Sequence, residues 1–118
     1  VVEPFAFMGN GSPKGFVDER TYTIAYTQVP NYVAITKALA KPLVEESGWQ
    51  LIGYFFSITG KINQVVHLWY WDDHAQREEC QAKAVSDPRW PLYQAGNGHR
   101  VIDQQNRYLV PTSFSTVK

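Results

Sequence analysis

The sequence predicts an α+β domain of the ferredoxin-like type, a β-α-β-β-α-β chain whose antiparallel sheet carries its helices on one face. Three observations predict it. The hydrophobic period switches between 2 and 3.6 in that order along the chain. The chain has 118 residues, which is the size of one domain with one core. Finally, 44% of the residues are apolar and 19% charged, a globular balance with no long apolar run to span a membrane.

Residues 1–16 read as an N-terminal tail, with Gly9-Asn10-Gly11-Ser12-Pro13 as turn and linker chemistry. Residues 17–115 form the domain, and residues 116–118 are a short C-terminal tail. The first strand is expected over 17–26, where Arg20, Tyr22, Ile24 and Tyr26 share one face and Glu19, Thr21, Thr23 and Ala25 the other. A helix follows over 30–47, with Pro30 in its first turn, an apolar stripe of Tyr32, Ile35, Leu39 and Leu43, and Gly48 as its stop. Pro42 lies inside it, lacks the amide for a backbone bond and crowds the carbonyl of Ala38, so a kink is expected there.

Residues 49–58 and 64–71 read as a hairpin turning at Thr59-Gly60-Lys61. Asp73 followed by Gln76 is a capping-box pattern opening a helix that runs to about Val85. Asp87-Pro88 starts a further short helix carrying Trp90, Leu92 and Tyr93, which ends at Gly96-Asn97-Gly98. Residues 101–110 form the last strand, stopped by Pro111.

Composition narrows the function. Eleven Lys and Arg balance eleven Asp and Glu, so the excess of positive charge that a nucleic-acid binder needs is missing. A single cysteine, Cys80, rules out an internal disulfide and a cysteine-based metal cluster. No spacing of His, Asp and Glu suggests a metal site, and no cofactor is expected. The chain opens on Val1-Val2 rather than Met, so the lack of a visible leader carries no weight. Aromatic residues make up 14% of the chain, a load that suits a pocket or a subunit interface. Helices on one side leave the other sheet face bare, and a second copy of the chain is the simplest cover for it. Two sheets packed in this way enclose a space.

From these residues a family resemblance follows. Asp18-Glu19-Arg20-Thr21-Tyr22, Leu51-Ile52-Gly53-Tyr54 and Asn63-Gln64-Val65-Val66-His67-Leu68-Trp69 resemble the strand signatures of the NIPSNAP family, a branch of the dimeric α+β-barrel superfamily. Arg77, the Asp87-Pro88-Arg89-Trp90 element and the ending Asn106-Arg107-Tyr108-Leu109-Val110-Pro111 with Phe114-Ser115 fit the same pattern. Three positions depart from it: Glu19 where an apolar residue is usual, Trp71 where Tyr is common, and His74 where an aliphatic residue usually follows the helix cap. The resemblance implies a homodimer and an intracellular home, the bacterial cytoplasm or the mitochondrial matrix. It does not imply one reaction.

In a ferredoxin-like sheet the first and third strands are central neighbours, which would set Arg20 and Tyr22 beside His67 and Trp69. His67 is the candidate acid–base residue, since imidazole titrates near neutrality. Arg20 offers a fork for a carboxylate, Tyr22 a donor, Trp69 a stacking wall, and Arg107 on the last strand a second cation. Each has a structural alternative: a hydrogen-bonded His67, an Arg20–Asp18 salt bridge, Tyr22 and Trp69 in the core or dimer interface, and a solvated Arg107. His74 and His99 read as surface residues and Cys80 as an inert core thiol. Two functions remain open. One is a homodimeric protein binding a small anionic or planar aromatic molecule in the barrel cavity. The other is a cofactor-independent enzyme of monooxygenase, isomerase or cyclase type with His67 as acid or base.

Overall fold

Period-2 alternation decides which side chains meet the helices, and over Gln64–Trp71 that alternation is clean. The computed structural model describes residues 15–115. The tail expected over 1–16 lies outside the described residues as far as residue 14, and the tail over 116–118 lies outside them entirely. Strand β1 (Phe16–Ile24) pairs antiparallel with both β3 (Gln64–Trp71) and β4 (Val101–Leu109), while β2 (Gln50–Phe56) adds to the far edge of β3. The order β2-β3-β1-β4 is that of a ferredoxin-like sheet, with the first and third strands at its centre. Register places Asp18 opposite Trp69, Arg20 opposite His67 and Tyr22 opposite Val65. Phe16, Asp18, Arg20 and Ile24, together with Val65, His67, Trp69 and Trp71, are buried on the face that the helices cover.

The helical layer begins with α1 (Val29–Ile35), widens into a π-helical stretch (Thr36–Ala40) and continues as α2 (Lys41–Glu46). The kink expected at Pro42 is replaced by this widening. Lys41 N–H reaches back five residues to the carbonyl of Thr36, and Pro42 then sits in the opening turn of α2, where its missing amide costs least. The extra residue in the turn also shifts the buried stripe. Tyr32, Thr36, Ala40, Leu43 and Val44 are buried, whereas Ile35 and Leu39 are only partly covered. Gly48 closes α2 at φ +102, and a Cβ there would lie 2.9 Å from the Cys80 sulfur, so both conformation and space call for glycine.

Helix α3 (His74–Ser86) is capped by Asp73, whose Oδ1 accepts from the Gln76 backbone N–H at 2.7 Å. The return arm of the box lands one residue early, since Gln76 Oε1 accepts from Asp72 N–H at 2.6 Å. Helix α4 (Arg89–Asn97) starts where Asp87 Oδ1 accepts from Arg89 N–H at 2.8 Å. A 3-10 turn, Gly98–Arg100, leads into β4. The buried apolar side chains gather in two clusters. One holds Phe16, Val44, Trp49, Trp69, Trp71, Cys80 and Ala84; the other is centred on Ile24, Tyr32 and Val65.

One polar side chain ties the last helix to the π-helical stretch. Asn97 is 1% exposed. Its Nδ2 donates to the Tyr32 carbonyl at 3.1 Å and to Thr36 Oγ1 at 3.2 Å. Its Oδ1 accepts from Arg100 Nη1 at 3.4 Å. Asn97→Ala strands these groups in a buried position and should lower unfolding free energy in urea by about 1–3 kcal/mol. A change within about 0.5 kcal/mol, the range of neutral surface substitutions, would show that the clamp is not structural.

Candidate functional site

Between the two core clusters, sheet and helices part to leave a cavity of about 250 Å³. Its floor is the helix-facing side of β1, β3 and β2, through Arg20, Tyr22, His67, Trp69, Leu51 and Tyr54. Val33, Thr36, Lys37, Ala40, Lys41 and Val44 come from the first helical layer, and Trp90 and Tyr93 from α4. The structure therefore brings Arg20, Tyr22, His67 and Trp69 into one cavity, but not the one expected. The expected space lay between two bare sheet faces. The observed one lies within a single chain, under its own helices.

The reason is the parity of β1. The face away from the helices carries Glu19, Thr21 and Thr23, with Val17 buried at its end, and the aromatic load faces the helices. Arg107 is on the bare side with Glu19, its register partner. Its Nε bonds Glu19 Oε1 at 2.5 Å and its side chain is 70% exposed, so it takes no part in the cavity.

Electrostatics at the floor start from a fully buried carboxylate. Asp18 Oδ2 accepts from Arg20 Nε and from Arg77 Nε, both at 3.2 Å. Arg77 reaches in from α3 and lies over the Tyr108 ring at 5.3 Å. One buried carboxylate thus serves two guanidinium groups, and Arg77 carries a second acid, Glu78, at 3.4 Å on its solvent side. Arg20 also donates from Nη1 to the Tyr22 hydroxyl at 3.4 Å and covers the Trp49 ring at 5.1 Å. Burial works against its charge, but Tyr22 and Asp18 outweigh it and hold Arg20 above the ordinary arginine pKa. Burial pushes the Tyr22 phenol up, with Arg20 offsetting part of the rise, and pushes Tyr54 up to about 12.

His67 stacks on Tyr54 at 4.7 Å and meets Tyr22 edge-on at 4.9 Å. Its Nδ1 accepts the Trp69 indole N–H at 2.6 Å. Burial first, and the nearby Arg20 second, lower its pKa to about 3. At neutral pH the ring is uncharged, with its basic nitrogen engaged by Trp69 and its proton on Nε2, which has no partner among the described residues. That geometry does not suit the acid–base role expected for His67. It suits a neutral ring that positions its neighbours and offers an N–H.

Several wall residues escaped sequence reasoning. Trp90 and Tyr93 were noticed only as helix content. Lys37, Ala40 and Lys41 needed the phase shift of the π-helical stretch to reach the cavity. Trp49 is held by its indole N–H to the Cys80 carbonyl at 3.2 Å, a contact across 31 residues.

Comparisons with known proteins identify the family and the fold. The NIPSNAP family profile matches residues 17–116. Human Protein NipSnap homolog 3A is 33% identical over 69 residues, which are 58% of this chain and 28% of that protein, so the match spans little more than a quarter of the relative's length. A NIPSNAP family protein of unknown function from Agrobacterium tumefaciens superposes with a TM-score of 0.86 at 27% identity, covering 91% of this chain and 96% of that one. A Nitrosomonas europaea protein provisionally called an antibiotic biosynthesis monooxygenase shares the fold, with a TM-score of 0.65 at 7% identity over 87% of this chain and 95% of that one.

The depressed His67 pKa has a consequence for stability. Unfolded, the ring binds a proton below about 6.5; folded, it stays neutral down to about 3. In that window the unfolded state holds the extra proton, so stability falls as pH falls. Between pH 7 and pH 5 His67 alone should remove about 2 kcal/mol of unfolding free energy. His67→Gln should abolish that part of the slope. Urea unfolding of both proteins at the two pH values checks it, and equal slopes would refute a neutral buried His67.

Proposed function

The chain belongs to the NIPSNAP family, and from that premise we propose that it is a homodimeric binding protein for a small planar molecule held between sheet and helices. The observation that carries this reading is the cavity itself. It measures about 250 Å³, its walls include Tyr22, Trp49, Tyr54, Trp69, Trp90 and Tyr93, and among the described residues no acidic side chain lines it. Aromatic walls with a few fixed polar groups are the usual make-up of a small-molecule site. The enzymatic alternative asks His67 to move a proton, and its engaged Nδ1 and low pKa weigh against that. Support for the dimer comes from the sheet face away from the helices, where the partly exposed Ile52, Leu68 and Leu109 form an apolar end beside the Glu19–Arg107 pair. An apolar sheet face of this kind is covered in a stable assembly.

Native mass spectrometry of the purified protein tests both parts. The expected spectrum shows two chains and a bound small molecule. Ala40→Phe, which fills the cavity from the helical side, should keep the dimer and lose the added mass. Leu68→Asp should yield a monomer at micromolar concentration. A monomeric wild type would overturn the dimer. An Ala40→Phe protein that retains the same bound molecule would overturn the cavity as its site.

A further inference from the structure

The cavity's polar groups are one-sided. The charged side chains that line it are Arg20, Lys37 and Lys41, all cationic. Lys41 is engaged outside by Glu45 at 2.9 Å, and Lys37 has no ion pair among the described residues. At the floor, Arg20 spends Nε on Asp18 and Nη1 on Tyr22, while Nη2 makes no hydrogen bond to the described protein. His67 adds to the same wall an Nε2–H with no partner among the described residues. Asp18 is shared with Arg77, which also pairs with Glu78, so the acids of this cluster lie on the side away from the cavity wall formed by Arg20. A buried guanidinium edge without an acceptor is costly, and its planar shape is the one that a carboxylate matches with two parallel hydrogen bonds.

Resting on the reading of this space as a ligand site, we propose that its ligand is a planar aromatic carboxylate. It enters ring-last, with its ionised carboxylate on the free edge of Arg20 and its ring among Trp49, Trp69 and Trp90. Arg20 is then the specificity-determining residue. Asp18 and Arg77 are positioning residues: Asp18 fixes the Nε edge so that Nη2 remains available, and Arg77 keeps Asp18 neutralised from the other side. Neutral molecules of the same shape gain the aromatic walls but give the Arg20 edge no charged acceptor, so the site discriminates by charge rather than by size.

The experiment uses a matched pair of probes, 2-naphthoate and 2-naphthamide, titrated calorimetrically into the wild-type protein freed of any bound molecule. The indole N–H signals of the tryptophans, read by NMR, report entry into the cavity. We expect 2-naphthoate to bind at least about tenfold more tightly than the amide, the lower end of what a charge-assisted hydrogen bond supplies. In Arg20→Met that preference should vanish while amide binding survives. This variant leaves Asp18 paired with Arg77, so the carboxylate is not abandoned. Arg20→Lys, which keeps the charge and loses the fork, serves if the methionine variant does not fold, and should lose most of the preference. Equal binding of the two probes by the wild type overturns the carboxylate assignment and leaves the cavity as a ligand site. A preference that persists undiminished in the Arg20 variants overturns the role of Arg20. Binding of neither probe, with the indole signals unmoved, overturns the assignment and counts against the cavity reading as well.

Discussion

The ion cluster of Arg20, Asp18 and Arg77 is the constraint around which the rest is arranged. Asp18 is fully buried, and an unpaired carboxylate there would cost several kcal/mol in desolvation. Two guanidinium groups at 3.2 Å make its burial tolerable, one from its own strand and one from α3. Because residues 18, 20 and 22 share a face, seating the pair under the helices decides the parity of the whole of β1. Register then carries that decision across the sheet: Arg20 opposite His67 and Asp18 opposite Trp69 force the imidazole and indole of β3 onto the same side. A one-residue slip would throw both charges and both rings onto the bare face.

From that placement the chemistry of the floor follows. The Arg20 charge next to His67 adds to burial in keeping its ring neutral, and the neutral ring needs a donor at Nδ1, which Trp69 supplies. Trp69 in turn meets Trp49 edge-on at 5.1 Å, and Trp49 carries the Arg20 guanidinium on its face. Charge, imidazole and two indoles therefore hold one another's orientation in a closed circuit. Such a circuit preorganises a binding surface, because its side chains have little rotamer freedom left to lose when something binds.

Much of this architecture was legible in the sequence, and the parts that were not share a physical cause. The strand and helix order, the Asp73 cap, the Asp87 start of the last helix and the Gly48 stop are local signals, set by residues within a few positions of one another. The motifs that resemble the NIPSNAP family lie within residues 17–116, which the family profile matches. The side of the sheet to which Arg20, Tyr22, His67 and Trp69 point was not local. A strand reading Asp-Glu-Arg-Thr-Tyr alternates little in polarity, so period-2 reasoning cannot tell its inner from its outer face. The deciding contact is Arg77, 59 residues away. Arg107 shows the converse. It shares a type with Arg20 but pairs with Glu19, and this places it on the opposite face.

The helical wall was illegible for a different reason. A stripe read at 3.6 residues per turn selects Ile35 and Leu39, but the π-helical stretch inserts an extra residue and turns Thr36 and Ala40 inward. These are small side chains. Where a regular helix would have presented a branched aliphatic stripe and filled the space above Arg20 and His67, the widened turn presents a hydroxyl and a methyl, and the cavity is what remains. Its persistence then depends on a polar device rather than an apolar one. The widened turn holds because Asn97 bonds the Tyr32 carbonyl and the Thr36 hydroxyl, and because Pro42 has no amide with which to restore the regular ladder. The open space in this core is therefore not a packing fault. It is held open from above by a hydrogen-bonded distortion of the helix and from below by a charged cluster that cannot collapse into it.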